Sequence, residues 1–240
     1  MPFELIVLGS ASPYPRPGEP CSGYLVRSES ATVWLDAGPG TLAALQEHAS
    51  LTDVDAIWIS HLHADHVADL LPAVYALLFA DLRRAKPMPL YGPPGIAKRI
   101  KDFLSNTGPA PIEQAFAVHE LHDGHFAEVN GLTMATTGVE HGFPAFGVRV
   151  SDGDRVLAYS GDTGPCAALD RLAGGADLFL CEADGPDPSP VHLTPEDAAR
   201  AAHAAGKLVL THLGPFLEPA EAADRAGTDA VATPGTVYEV

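Results

Sequence analysis

Short apolar runs alternate along the chain with segments whose apolar residues recur at helical spacing. The runs have the length of buried strands, and they predict strands at 3–8, 23–27, 32–36, 56–59, 88–91, 114–119, 128–136, 145–150, 155–159, 178–181 and 207–210. The helical spacing predicts helices at 65–83, 95–104, 166–172, 195–205 and 219–226. Strand-rich blocks with helices between them place the chain in the α/β class.

A cluster of ionisable side chains directly follows the predicted strand 56–59. It reads His61-Leu62-His63-Ala64-Asp65-His66. Burying such groups without partners costs about 2–7 kcal/mol each, and a divalent metal is the obvious partner, with zinc, manganese or iron suited to imidazole and carboxylate. His61 and His63, two positions apart on an extended exit, can point the same way. Asp65 and His66 open the next helix and can face a second metal. The alternative is a polar loop with coincidental histidines.

Three more polar residues follow predicted strands further along the chain. They are His141, Asp162 and His212. Each alone is weak, because a histidine after a strand is more often a satisfied loop residue than a ligand. In this order after the histidine cluster, the three together favour one shared metal site.

These motifs resemble the metallo-β-lactamase superfamily over nearly the whole chain. The match rests on HLHADH, His141, Tyr159-Ser160-Gly161-Asp162-Thr163 and Thr211-His212-Leu213. Within that superfamily the chain is most similar to the branch of the tRNA 3′-processing endonuclease, ribonuclease Z, and related phosphodiesterases. The resemblance implies a single domain, 1–240, folded as a four-layer αβ/βα sandwich of two mixed β-sheets flanked by helices.

The same resemblance implies two divalent metal ions, zinc first and manganese or iron as alternatives. One ion would be held by His61, His63 and His141, the other by Asp65, His66 and His212, with Asp162 bridging them. Two ions about 3.5–4 Å apart clamp the attacking and leaving oxygens of a hydrolysis. Asp65 would in addition orient the attacking water. Relatives that reduce oxygen at a di-iron site carry glutamate where this chain has His63, so the histidine favours hydrolysis.

A second segment resembles the part of ribonuclease Z in which a histidine paired with a glutamate acts as general acid. By that resemblance His192 is the acid and Glu182 orients it. The alternative is structural: Thr194 is a helix N-cap with Asp197 three positions later, and His192 merely precedes it. For Asp36, after the strand 32–36, the sequence leaves open a ligand-orienting role or a simple strand-to-turn residue.

The short interval between two predicted ligands and the net charge of the chain limit the kind of substrate that we expect. From His141 to Asp162 there are 162 − 141 = 21 positions, filled by two predicted strands and a turn at Asp152-Gly153-Asp154, so the tRNA-gripping arm of familiar ribonuclease Z enzymes has no room there. The chain carries 14 Lys+Arg against 31 Asp+Glu, a net charge of −17, which does not favour a nucleic-acid partner.

We therefore predict a phosphodiesterase for a small phosphodiester. The segment Pro20-Cys21-Ser22-Gly23-Tyr24-Leu25-Val26 resembles the start of bacterial homologues thought to cleave cyclic nucleotides, which makes a cyclic nucleotide the leading candidate. The alternatives are a tRNA 3′-processing endonuclease, another hydrolase of the superfamily such as a lactonase or thioesterase, and a non-catalytic metal-binding or scaffold protein.

The remaining features suggest where the protein works. Three cysteines, Cys21, Cys166 and Cys181, lack the spacing of a disulfide framework or a zinc knuckle, which suits a reducing cytoplasm. No secretion signal or membrane-spanning segment is predicted, and a homodimer stays open. The segment His119 to His125 superficially resembles a metal site, but Asp123-Gly124 predicts a turn, so we interpret it as a solvated hairpin.

Overall fold

Two mixed β-sheets form the centre of the molecule in the computed structural model, which describes residues 3–104 and 111–240. The strands within those ranges are β1 (Glu4–Gly9), β2 (Gly23–Arg27), β3 (Thr32–Leu35), β4 (Ala56–Trp58), β5 (Met88–Gly92), β6 (Phe116–Glu120), β7 (Phe126–Val129), β8 (Leu132–Glu140), β9 (Pro144–Ser151), β10 (Val156–Tyr159), β11 (Leu178–Glu182), β12 (Lys207–Thr211) and β13 (Val237–Glu239). The first sheet has the order β13-β1-β2-β3-β4-β5-β6 and the second the order β12-β11-β10-β9-β8-β7.

Strand direction changes within each sheet. In the first sheet, β13, β1, β2 and β3 are antiparallel neighbours, whereas β3 to β6 run parallel. In the second sheet, β7 to β10 are antiparallel neighbours, whereas β10, β11 and β12 are parallel. The parallel strands of each sheet therefore deliver several chain exits to one edge, where side chains from both sheets can meet.

Helices cover the outer faces of both sheets. They are α1 (Thr41–Leu45), α2 (Ala64–Val67), α3 (Leu70–Phe79), α4 (Ile96–Leu104), α5 (Ala168–Ala173), α6 (Pro195–Ala201) and α7 (Pro219–Ala226). One buried cluster, which includes Trp58 and Tyr159, fills the space between the sheets. A second lies between the first sheet and α1, α3 and α4, and a third between the second sheet and α5, α6 and α7. This four-layer arrangement confirms the predicted fold class.

The helix predicted at 65–83 is wrong in its extent. The structure has two helices there, α2 and α3, and α3 ends at Phe79. The break has a tertiary cause: the Ala37 N–H donates to the His66 carbonyl at 2.7 Å and the Asp69 N–H donates to the Ala37 carbonyl at 2.9 Å. Pro72 has no N–H to offer an earlier carbonyl. The single turn of α2 thus holds Asp65 and His66 as a separate unit.

The strand predicted at 128–136 is also wrong, because it is two strands. Between β7 and β8, Asn130 and Gly131 have φ of 46° and 90°, which is the backbone of a tight two-residue hairpin turn that an Asn-Gly pair favours. The helix predicted at 195–205 ends at Ala201 and continues as a 3₁₀ turn. The strand predicted at 114–119 begins only at Phe116, after a 3₁₀ turn at Ile112–Gln114.

The hairpin predicted around Asp123-Gly124 needs correction as well. The turn exists, with Gly124 at φ 76° and the His125 N–H donating to the His122 carbonyl at 3.0 Å. It joins β6 of the first sheet to β7 of the second, so the two strands do not pair. Among the helices and strands of the described residues, α1 and β13 were not predicted, because neither short segment carries a clear apolar run or helical period. Among the described residues no helix is both long enough and apolar enough to cross a membrane.

Candidate metal centre

The predicted metal ligands meet at one edge of the two sheets, where they come from four strand ends and from the start of α2. His61 follows β4, and His63 is the N-cap of α2, whose first turn carries Asp65 and His66. The other three follow strands β8, β10 and β12; they are His141, Asp162 and His212. His63 is exposed, while the other six side chains are buried. All seven predicted ligands therefore come together in the structure.

Two groups of predicted ligands share this edge, and a third group of candidate ligands, Asp162, His192 and His212, overlaps them. The ligand atoms of His61, His63, His141 and Asp162 all lie within 4.8 Å of one another, and so do those of a second group. The members of the second group are Asp65, His66 and His212.

Asp162 lies between the two groups. Its Oδ2 is 3.1 Å from the Nε2 of His212, 3.4 Å from that of His66 and 3.6 Å from that of His61. This is the position that a bridging carboxylate requires.

Orphaned buried atoms show that the site fits metal ions. Within the described residues, His61 Nε2, His66 Nε2 and Asp162 Oδ1 are buried without a hydrogen-bond partner. A buried polar atom left in this way destabilises the folded chain by about 1–3 kcal/mol, and all three of these atoms belong to candidate metal ligands. Imidazole nitrogens and carboxylate oxygens are the donors that zinc, manganese and iron accept. The donor set and its grouping are those of a dinuclear metal site.

Asp36 lies directly behind one of the histidines. Its Oδ2 accepts from His66 Nδ1 at 2.7 Å and from the Tyr159 hydroxyl at 2.7 Å. The Ser60 backbone N–H donates to Oδ1, and the Ser60 hydroxyl to Oδ2, both at 2.7 Å. Because Nδ1 of His66 is occupied in this way, its Nε2 is left to face the centre. Of the two interpretations of Asp36, the structure agrees with the ligand-orienting one.

Other ring nitrogens are occupied on the side away from the centre. His141 Nδ1 donates to the Val191 carbonyl at 2.7 Å, and His212 Nδ1 lies 2.8 Å from the Ser22 hydroxyl. The sequence did not reveal Ser22, Ser60 or Tyr159 as partners of the site. The only signal for them is that they stand inside or beside the quoted motifs.

The electrostatics of the cluster suit metal binding. Burial raises the pKa of Asp162, but His212, His66 and His61 outweigh burial and hold that pKa well below its usual range, so the carboxylate is ionised. Burial lowers the pKa of His61 well below its usual value, which keeps the imidazole neutral. For His66, Asp162 and Asp36 outweigh burial and raise the pKa well above its usual value. A metal that binds His66 must therefore displace a proton.

His192 stands beside the two ligand groups and is held by Glu182. Its Nδ1 lies 3.0 Å from Glu182 Oε1, and its ring centroid is 4.9 Å from that of His141. Burial lowers the pKa of His192, but the hydrogen bond and charge of Glu182 outweigh burial and raise the pKa to about 9. Burial raises the pKa of Glu182, and the bond to His192 opposes this. The side chain of His192 is therefore protonated near neutral pH.

Glu182 is fixed by backbone groups as well as by His192. It is fully buried, accepts from the Thr163 N–H at 2.8 Å and from the Leu193 N–H at 3.2 Å. The helix cap that formed the alternative interpretation is also present, with Thr194 and Asp197 closing a reciprocal capping box at the start of α6. The cap and the placement of His192 coexist, because the cap fixes the backbone just after the histidine.

A cavity of about 650 Å³ opens onto the centre. The site residues on its surface are His63, Asp65, Asp162, His192 and His212. The histidines of the predicted β6–β7 turn lie elsewhere: the rings of His122 and His125 are 5.0 Å apart, but among the described residues they join no group of candidate metal ligands.

Comparison with known proteins defines the family. A model described as a beta-lactamase superfamily domain matches residues 31–213. The chain belongs to this superfamily, and its ribonuclease Z relatives place it near that enzyme. With the donor set described above, the chain is a metal-dependent hydrolase of the metallo-β-lactamase fold.

Individual relatives and one solved structure show the extent of the similarity. The chain is 36% identical over 223 residues to an uncharacterized protein of Mycobacterium tuberculosis (strain CDC 1551 / Oshkosh), covering 89% of this chain and 81% of the relative. It is 30% identical over 264 residues to ribonuclease Z of Mycobacterium sp. (strain KMS), covering 97% and 91%. The fold is similar to the metallo-beta-lactamase fold protein YhfI from Bacillus subtilis, with a TM-score of 0.87, 23% identity and full coverage of both chains.

Proposed function

We propose that this hydrolase is a phosphodiesterase for a small phosphodiester, with a cyclic nucleotide as the leading candidate. The observation that carries the proposal is the pair His192–Glu182 beside the two ligand groups, with a 3.0 Å contact between them. Cleavage of a phosphodiester that releases a sugar alkoxide needs a proton donor at the leaving oxygen. A thioesterase needs such a donor less, because its leaving group is a thiolate. Thiols have a pKa of about 8.5, so a thiolate leaves near neutral pH without being protonated more easily than an alkoxide does.

The residues of the chain divide the work as follows. His61, His63 and His141 would hold one ion, Asp65, His66 and His212 the other, and Asp162 would contact both. When bound, such ions polarise a phosphoryl oxygen and make water a nucleophile near neutral pH.

The chain itself supplies the proton and its control. His192 donates a proton to the leaving oxygen, and Glu182 holds the ring and keeps it protonated until that step. Asp65, which lines the cavity, accepts a hydrogen bond from the attacking water and thereby orients it.

The shape and charge of the cavity support a small substrate. Its volume of about 650 Å³ lies in the range of roughly 300–1,000 Å³ typical of small-molecule sites. No lysine or arginine is among its described lining residues. Residues 142–161, all of them described, form β9, β10 and short connections rather than an extended arm. The runner-up is tRNA 3′-processing, favoured by the ribonuclease Z relatives.

A substrate panel tests the proposal. Zinc- and manganese-loaded protein is incubated with bis-p-nitrophenyl phosphate, 2′,3′- and 3′,5′-cyclic nucleotides, a lactone and a precursor tRNA. We expect turnover of the nitrophenyl diester and of at least one cyclic nucleotide. Asp162→Ala protein, purified in the same way, controls for contaminating enzymes. Efficient cleavage of the tRNA or the lactone without cyclic-nucleotide turnover would replace the proposal with the corresponding alternative.

A further inference from the structure

Two exposed aromatic side chains stand on the wall of the metal-site cavity, and nothing assigned so far uses them. Tyr14 and Phe216 both line it, with 53% and 86% of their surfaces exposed. Neither ring packs against another aromatic ring or a cation in the described part of the chain. Phe143 behaves differently, since its ring lies 4.4 Å from that of His63 and 5.0 Å from that of His141. Phe143 covers ligands, whereas Tyr14 and Phe216 face open solvent.

The backbone that presents these two rings is anchored. The Ser12 hydroxyl donates to Asp184 Oδ1 at 2.7 Å, and the Gly214 N–H donates to the Asp184 carbonyl at 2.8 Å. A parallel bridge joins Ala11 to Leu213. Three separate loops are thereby tied into one wall around Asp184.

Two buried leucines of the same loop lie before and after Phe216. Leu213 and Leu217 are 6% and 4% exposed, so the loop is held at both ends while the phenylalanine ring between them projects outward. Single exposed apolar residues are ordinary on protein surfaces. Two aromatic rings on anchored loops of one catalytic cavity form a surface suited to a flat ligand.

The charges on this wall limit the chemical class of ligand that it can bind. Asp184 is the only charged residue among the described lining residues outside the candidate metal centre, and it is an acid. The cation beside the wall, Arg16, reaches the Ser12 carbonyl at 3.4 Å but is paired with Glu19 at 2.6 Å, so a second phosphate would meet the Asp184 carboxylate without a free cation to offset it. An uncharged aromatic ring with hydrogen-bond donors fits, because the rings offer faces for stacking and Asp184 accepts.

We infer that Tyr14 and Phe216 bind the nucleobase of a substrate that carries a single phosphate, an inference that rests on the proposed function. Stacking on aromatic side chains is sequence-tolerant, because every base has a π-face. The wall therefore selects nucleoside monophosphate diesters over sugar phosphates and over nucleoside di- and triphosphates, and it discriminates weakly among the four bases.

Binding of two matched ligands isolates the base contact. Zinc-loaded protein is titrated by calorimetry with adenosine 5′-monophosphate and with ribose 5-phosphate, which share the phosphate and the sugar and differ at C1′, where the nucleotide carries the base and the sugar phosphate carries a hydroxyl. The ratio of the two dissociation constants measures what the base contributes. For wild type we expect a preference for the nucleotide of about tenfold or more, from the usual strength of one base–aromatic stack.

Variants locate that preference on the wall. Phe216→Ala should lower the ratio severalfold, and Tyr14→Ala/Phe216→Ala should bring it close to one. Phe216→Tyr should keep it, since the ring remains. Phe126→Ala removes a ring of similar exposure, 64%, on β7 outside the cavity lining and should leave the ratio unchanged. Ribose 5-phosphate affinity should stay constant in all four variants, which shows that the metal centre is intact.

Two results would overturn the inference. One is a wild-type ratio close to one, and the other is a ratio that survives in the double variant. The result is separable from the proposed function, which fails if the wild-type protein turns over no phosphodiester. If no phosphodiester is turned over but the double variant loses the nucleotide preference, the wall binds a base and the proposed function is wrong. If a phosphodiester is turned over but the wild type shows no nucleotide preference, the proposed function stands and this inference is wrong.

Discussion

Replacing Glu182 by glutamine should move the alkaline limit of activity to lower pH. The carboxylate contacts His192 at 3.0 Å, and it is the main reason that the pKa of His192 is raised to about 9 from an ordinary value of 6.5. Glutamine keeps the size and a hydrogen-bonding oxygen but removes the charge. The pKa of His192 should then fall toward its ordinary value, because burial favours the neutral ring while Asp162 and Asp184 still favour the charged one.

The expected magnitude depends on pH. At pH 8 a group with a pKa of about 9 is roughly nine-tenths protonated, whereas one of pKa about 6.5 is roughly 3% protonated. If the acid form of His192 is required, Glu182→Gln loses about thirtyfold at pH 8 but less than about twofold at pH 6. Bound divalent cations lower both pKa values, so the quantity to compare is the displacement between the two profiles, about two and a half pH units.

The assay compares leaving groups. Profiles of kcat/KM against pH are measured for a cyclic nucleotide, which releases a poor alkoxide leaving group, and for bis-p-nitrophenyl phosphate, whose nitrophenolate needs little protonation. The displaced alkaline limb should appear only with the cyclic nucleotide. Glu47→Gln, a change at an exposed glutamate that does not line the cavity of the centre, should leave both profiles unchanged.

Two results would refute this reasoning. An alkaline limb that does not move in Glu182→Gln would show that the carboxylate does not control the proton. An equal displacement with both substrates would show that His192 positions the phosphate instead of donating to the leaving group. His192→Ala provides the companion measurement, with a loss of about 10²–10⁴-fold on the cyclic nucleotide and a much smaller loss on the nitrophenyl diester, at unchanged metal content.

Three further predictions concern the metals and the substrate. Asp162→Ala should lose or severely weaken both ions, since it removes the carboxylate whose Oδ2 lies between the groups; elemental analysis of the wild type showing less than one ion per fully active chain would contradict the dinuclear site. Asp36→Asn should weaken metal binding about 10–100-fold, because His66 Nδ1 loses its 2.7 Å carboxylate acceptor; a competition titration against a chelator measures this, and an unchanged affinity would count against the orienting role. Precursor tRNA should bind weakly and with little cleavage at a net charge of −17, and tight binding that falls steeply with added salt would instead favour the nuclease.

Local patterns in the sequence were enough to predict most strands and helices and all seven candidate ligands. A strand or helix of normal length shows its period in the sequence, so most elements were predicted to within a few residues. The ligands were also readable, because His61 to His66 are neighbours in the chain and the other three each follow a strand. Parallel strands end at one edge of a sheet, which is why residues spread over much of the chain can be expected to meet there.

Tertiary structure alone decided what supports and surrounds that site. Ser22 reaches His212 across 190 positions, and Tyr159 reaches Asp36 across 123, and no local period encodes either contact. The break between α2 and α3 depends on hydrogen bonds to Ala37, a residue outside both helices. β13 forms a strand only because β1 offers it a free edge. Strand and helix periods are local properties, whereas loop positions are set by distant backbone and side-chain partners, and the loops that carry Tyr14 and Phe216 are of this second kind.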